Sequence, residues 1–252
     1  MMKYKIFSVL LCLFILSEAS NAQAPIKVIL MPLKKVTIST RVEGTVKKFT
    51  VKEGEKVKQN QLLVEMDEKY YEQIKNNIDA AFKEAKARKD FAEFEYKQQV
   101  QLFQKGVTGK MGVEESKLKA ELAIAKYQQV QAKLNLADFD LKSCCIPSPI
   151  NGRVLKKVAH EFEFVRAGEP VVELIDDTGL LAVMHFPSST VNDIHEGGKF
   201  NIKIAETGKV YKAIITGISA KVDARSQTFE VKARIDNKDG NLRAGMSGQI
   251  VK

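Results

Sequence analysis

The chain has 252 residues, 44% of them apolar and 28% charged, which suits one or two folded domains and excludes wholesale disorder. Its 40 Lys+Arg against 31 Asp+Glu give a formal charge of +9. Three histidines, three cysteines and no tryptophan leave little material for a His-rich metal enzyme or a disulfide scaffold.

Residues 1–22 read as a secretory signal peptide. Lys3 and Lys5 precede the apolar run Ile6 to Leu16, which is too short to span a bilayer, and Ser20-Asn21-Ala22 offers a small-residue cleavage site. An uncleaved N-terminal anchor is the alternative. Cys12 follows the bulky Leu11 and does not resemble a lipid-attachment site. Cleavage after Ala22 removes two lysines and Glu18, so a charge of +9 becomes +8. Export argues against nucleic acid as the partner of this basic charge. It leaves anionic lipid headgroups, an acidic protein surface or plain solubility. No later stretch approaches ~18 uninterrupted apolar residues, so the mature chain is expected to be soluble or peripheral to a membrane.

Breakers are unevenly placed. No proline lies between Pro32 and Pro147, and between Gly54 and Gly152 the only glycines are Gly106, Gly109 and Gly112. Two long Ala/Glu/Lys/Gln-rich stretches therefore flank one glycine knot, which predicts an antiparallel α-helical hairpin over 69–143. In the second stretch Ser116, Ala120, Ala123, Tyr127, Val130, Leu134, Ala137 and Leu141 recur with the 4–3 spacing of a coiled coil. In the first, Ile74, Ile78, Ala81, Ala85, Ala92 and Leu102 fit such a seam, interrupted by Arg88, Glu95 and Gln99. At ~1.5 Å per residue the hairpin would reach roughly 55 Å, which suits a reaching device more than a compact core. Outside it, short Val/Ile/Leu runs alternate with turn residues, as in Val42 to Val64 and Lys199 to Val251, and predict strands.

The segments flanking the hairpin repeat at a constant offset of 108 residues. Gly44, Val46 and Lys48 match Gly152, Val154 and Lys156; Glu53, Glu55 and Val57 match Glu161, Glu163 and Val165; Val64, Glu65 and Met66 meet Val172, Glu173 and Leu174. Repeats this short cannot bury their apolar faces alone, so the halves are expected to form one small β sandwich interrupted by the hairpin.

The first half, Val42-Glu43-Gly44-Thr45-Val46 with Val51 to Val57 and Gln61-Leu62-Leu63, resembles a lipoyl half-motif, and Ser148 to Val154 with Arg166 to Val171 resembles its partner. Val222 to Phe229 and Asn241-Leu242-Arg243-Ala244-Gly245-Met246 are similar to segments of an adaptor β-barrel, with Ala244 where that motif carries proline. In order, these segments resemble the membrane fusion proteins, the periplasmic adaptor subunits of RND-type and related (HlyD-like) efflux pumps. Gly245 is expected to supply a turn conformation that a β-carbon would resist.

The resemblance implies an elongated α+β chain. It would hold a lipoyl-like (barrel-sandwich hybrid) domain split into 40–68 and 144–178, the coiled-coil hairpin at 69–143, and a β-barrel domain at 179–252. It also implies a non-enzymatic periplasmic adaptor without cofactor or metal, linking an inner-membrane efflux transporter to an outer-membrane channel, as a ring of copies. A stand-alone periplasmic metal or small-molecule binding module is the rival reading. Two departures matter. Adaptors of this kind often carry Arg, Leu and Ser at the hairpin tip; anchoring on Leu102 puts Gln98 and Gly109 at the outer two positions. The chain also ends at Lys252, leaving residues 23–40 and the last few as material for a membrane-proximal domain, which keeps an ABC-type pump open beside the RND type.

The candidate docking residues are Leu102 and Val107, apolar at a turn with no core of its own, flanked by Lys105 and Lys110. Leu102 serves equally as a last rung of the helical seam. Lys69 lies near the position where true lipoyl domains carry their cofactor, but a helix is expected to begin there, so a solvated lysine is favoured. For the adjacent Cys144 and Cys145 a strained disulfide, soft-metal binding and small apolar packing remain open, with packing favoured. His160, His185 and His195 have no ligand-spaced neighbours, and hydrolase, phosphate-loop and dinucleotide motifs are absent.

Overall fold

The computed structural model describes residues 26–251, so the expected signal peptide at 1–22 lies outside the described residues. The chain divides into two compact units, residues 32–178 and the described residues on either side.

In the 32–178 unit, β2 (Gly44–Phe49), β3 (Lys56–Val57) and β4 (Leu62–Met66) precede two helices; β5 (Cys145–Pro147), β6 (Gly152–Lys157), β7 (Phe164–Val165) and β8 (Pro170–Pro187) follow them. The 108-residue offset becomes an exchange of partners. β2 pairs with β7 at Gly44↔Val165, and β6 pairs with β3 at Gly152↔Val57, so shifting each number by 108 converts one pairing into the other. Hydrogen bonds obey the same exchange. Lys157 N–H donates to the Glu53 carboxylate at 2.7 Å, and Phe49 N–H donates to Glu161 at 3.0 Å. Lys52 N–H donates to Glu55 at 2.9 Å, and His160 N–H donates to Glu163 at 2.7 Å. The repeated glutamates thus close turns and bind one half to the other. Val46 with Val154, Val57 with Val165, Val64 with Val172 and Met66 with Leu174 are all buried in a single cluster. Burying each such side chain stabilises the fold by roughly 1.5–3 kcal/mol, which neither half gains without the other.

The left-handed turns of the two halves carry different residues: Asn60 (φ +66°) is matched by Gly168 (φ +90°). Gly54 (φ +79°) is matched by Phe162 (φ +68°), whose side chain is 80% exposed. A left-handed conformation costs a residue with a β-carbon about 1–2 kcal/mol, and an exposed ring recovers little of that. Phe162→Gly is therefore expected to stabilise the protein by up to about 1 kcal/mol in urea unfolding, after the extra entropy of an unfolded glycine is subtracted. A loss of stability would mean that the ring packs to greater effect than its exposure indicates.

The helices are α1 (Lys69–Gln104) and α2 (Lys110–Ser143). Lys75 meets Asp138 at 2.6 Å, and the rings of Phe82 and Tyr127 lie 5.2 Å apart, so the helices run in opposite directions as they pack. All eight seam residues expected on α2 are buried or half-buried. The seam expected on α1 needs correction: Ile74, Ile78, Ala85 and Ala92 are buried or half-buried, but Ala81 and Leu102 are exposed, and Phe82, Lys89, Tyr96 and Gln99 are half-buried in addition. Arg88 and Glu95 are exposed beside the seam and do not interrupt it. Lys89 is half-buried. Its stem lies along the seam while its ammonium sits 5.1 Å from the centre of the Tyr127 ring, a cation–π contact.

Asp138 ties the pair together near its base. Hydrogen bonds from Lys142 and then Lys75 hold its carboxyl at about 2, below the ordinary 3.8. A depressed folded-state pKa gives stabilisation that is complete above the ordinary value and lost as pH falls through the lowered one. The gap in thermal midpoint between wild type and Asp138→Asn should therefore be present at pH 6 and nearly closed at about pH 2. A gap independent of pH would show that the carboxylate charge is irrelevant there.

The second unit contains the end of β8, β9 (Lys199–Ile204), β10 (Val210–Asp223), β11 (Thr228–Asp236), β12 (Ser247–Val251) and the start of β1 (Lys27–Ser39). The strands run in the order β1-β12-β9-β10-β11-β8, and β1 also pairs with β8. Leu180, Ala182, Met184 and Phe186 on β8, with Phe229, Val231, Ala233 and Ile235 on β11, alternate inward as strand geometry demands. Residues before 40 were not expected in this barrel, yet Lys27, Val28 and Ile29 pair with Gln249, Gly248 and Ser247, and Val28 and Leu30 are buried in its core. The 241–246 motif explains the join. The buried Asn237 side chain exchanges two 2.9 Å hydrogen bonds with the Leu242 backbone, seating Leu242 in the core. Gly245, at φ +93°, turns the chain so that its N–H donates to Leu30 O at 2.7 Å, while Leu30 N–H donates to Met246 O at 2.9 Å. A β-carbon resists that conformation, as expected of this glycine.

Candidate docking site at the helical turn

Residues 105–109 join α1 to α2. Lys105 N–H donates to Gln101 O at 3.2 Å, Gly106 N–H to Phe103 O at 2.9 Å and Val107 N–H to Leu102 O at 2.9 Å, which satisfies three of the last four carbonyls of α1. Leu102 is 36% exposed and Val107 70%. Lys105 caps α1, Lys110 opens α2, and both are exposed. The four residues expected to form a docking surface thus fall within one short stretch. Phe103 (46%) and Met111 (82%) are also exposed there, and sequence reasoning missed them. Their signal was simply large apolar side chains beside the glycine knot, where no seam continues to bury them. Binding through apolar anchors with a cationic rim is what such a surface can do. No nucleophile and base come together in it.

The other sequence candidates lie elsewhere. Lys69 is the exposed first residue of α1, and its N–H donates to Asp67 Oδ1 at 3.1 Å. Cys144 is buried, Cys145 exposed, and both are free thiols. Burial pushes the Cys144 thiol up to about 11, helped by negative charge at Cys145, Glu68, Asp140 and Asp67, so it is a poor nucleophile and packs as a small apolar residue in the sandwich core. Among the described residues no three His, Cys, Asp or Glu gather as a metal site, and no helix is long and apolar enough to cross a membrane.

A sandwich made of two exchanged halves, a helical pair inserted between them and a following barrel define the class of fold to which this chain belongs. Two family models match it: the RND MFP barrel-sandwich hybrid domain over residues 34–177, and the CusB-like β-barrel domain over 182–251. The chain belongs to the RND-type membrane fusion protein family. Multidrug resistance protein MdtA of Erwinia amylovora is 23% identical over 220 residues, covering 82% of this chain and 53% of that protein. The chain spans about half the length of the curated relatives it matches. Among solved structures, the membrane fusion protein Spr0693 from Streptococcus pneumoniae R6 has a TM-score of 0.70 at 13% identity, covering 90% of this chain and 99% of that one. MacA from Actinobacillus actinomycetemcomitans has a TM-score of 0.62 at 21% identity, covering 90% and 78%. At these identities the structural likeness speaks for the fold alone.

Proposed function

We propose that this chain is a non-enzymatic periplasmic adaptor that links an inner-membrane exporter, of RND or ABC type, to an outer-membrane channel during efflux. The observation that carries this reading is the cluster of exposed apolar side chains at the turn of a hairpin whose first helix has 36 residues, about 54 Å at 1.5 Å per residue. Leu102, Phe103, Val107 and Met111 are exposed within ten residues of one another and so are available together to a partner. Family membership and the multidrug-resistance relative support it. In this reading residues 40–68 and 144–178 are the halves of the lipoyl-like domain, 69–143 an antiparallel coiled coil, and 179–252 the barrel. Leu102, Lys105, Val107 and Lys110 dock the channel, copies assemble as a ring, and no cofactor takes part.

Cross-linking in intact cells, followed by purification and identification of the captured proteins, tests the proposal. An inner-membrane exporter and an outer-membrane channel should be recovered together. Recovery of the chain alone, carrying a metal or small molecule, would overturn the adaptor reading in favour of a stand-alone binding module.

A further inference from the structure

An open cleft of about 290 Å³ lies where α1 leaves the sandwich, lined by Glu43, Gly44, Thr45, Asp67, Tyr70, Tyr71 and Phe164. Its walls are aromatic. Tyr70 and Tyr71 meet edge to face with ring centres 5.3 Å apart, and Phe164 stands on β7, which pairs with β2 at Thr45↔Phe164. Tyr70 is 68% exposed and Phe164 60%, so neither ring is in place to fill the core. Its only ionisable lining groups besides the tyrosines are two carboxylates, in a chain that carries 40 Lys+Arg. Among the described residues, neither Glu43 nor Asp67 forms an ion pair.

The cleft is held rigidly. The Tyr71 hydroxyl donates to Glu43 O at 2.8 Å, Asp67 N–H donates to Thr45 O at 2.9 Å, and Lys69 N–H donates to Asp67 Oδ1 at 3.1 Å. Asp67, Glu68 and Glu72, with the Lys69 ammonium among them, stand at the positive end of the α1 dipole. The Tyr71 phenol is raised above 10, first by burial and then by Cys144, Glu43 and Asp140.

We infer that this cleft binds a small organic cation, a quaternary or fully substituted ammonium, held against the faces of Tyr70 and Phe164 and neutralised by Glu43 and Asp67. Aromatic faces attract such cations through the ring quadrupole, and an alkylated ammonium loses less hydration than a metal ion on leaving water. The inference stands on the cleft's own chemistry and not on the adaptor role.

Choline and 3,3-dimethylbutan-1-ol have the same shape and differ in charge, so they separate cation binding from simple apolar contact. Titrating each into the purified chain, with the aromatic NMR signals as readout, should give saturable shifts of Tyr70, Tyr71 and Phe164 with choline. The neutral isostere should bind at least about tenfold more weakly. Glu43→Gln with Asp67→Asn should weaken choline by about tenfold. Tyr70→Ala, a change at an exposed helical position, should weaken it about fivefold while leaving the thermal midpoint in place, so a folding defect in the double variant does not blunt the test. Equal shifts from the isostere, no saturation by choline up to about 100 mM, or wild-type affinity in Tyr70→Ala would each overturn the inference.

Discussion

Replacing Leu102 and Val107 together by aspartate is expected to abolish export while thermal unfolding and protein level stay near wild type. Val107 is 70% exposed in a turn, where a polar side chain costs the folded state almost nothing. Leu102, at 36% exposure, sits in the last turn of α1, where a carboxylate faces the negative end of the helix dipole and costs about 0.3–1 kcal/mol. That is small against the stability of a domain, whereas burying two aspartates against an apolar partner surface costs several kcal/mol at the interface. The asymmetry makes the experiment decisive. Intact export would sink the docking role of the turn. A collapsed protein level would instead assign Leu102 to the helical seam, and Val107→Asp alone, free of the dipole penalty, would then report on docking.

Gly152→Ala is expected to destabilise the protein by about 3 kcal/mol. A β-carbon there would stand 2.2 Å from Ile175 O and 3.0 Å from Ile175 C, both backbone atoms of the neighbouring strand. No rotamer change relieves such a clash; β6 and β8 must separate. The ladder that would be pried open includes Arg153↔Ile175, next to the 2.8 Å bond between the Arg153 guanidinium and Asp177. Urea unfolding should show a lower midpoint with an unchanged slope, as for a loss of stability without a change in the unfolded chain. A shift smaller than about 1 kcal/mol would mean that the two strands part easily and that the close approach matters little.

Much of this architecture was legible before the structure. The empty spacing of proline and glycine placed the helices at 69–143, and the α1 and α2 bounds fall inside that range. The 108-residue offset announced two halves of one core, because matched apolar positions on both sides of an insertion have nowhere else to be buried. The eight-residue seam on α2 was readable because its residues are small or apolar without interruption. On α1 the same reasoning slipped by one position at alternate rungs, since Phe82, Lys89 and Tyr96 face inward while Ala81 does not. A 4–3 pattern allows two such rungs when polar residues occupy the seam, and only the partner helix, through the Tyr127 ring beneath Lys89, selects between them.

The sequence by itself determined which residues alternate inward, where breakers stop each element, and that the flanking segments are copies, because these depend on local periodicity and turn chemistry. It could not determine what the matched glutamates do. Glu53 and Glu161 each reach a backbone N–H more than a hundred residues away, an exchange that exists only once the halves have met. Nor could it place Val28 and Leu30 in the barrel, since their partners at 245–249 lie at the other end of the chain. The cleft at the root of α1 likewise draws Glu43, Asp67, Tyr70 and Phe164 from three separate stretches. Contacts of that kind carry no local signature. They are decided by the burial of the shared core, which brings distant backbone groups within hydrogen-bond reach and leaves the remaining aromatic and acidic side chains facing solvent together.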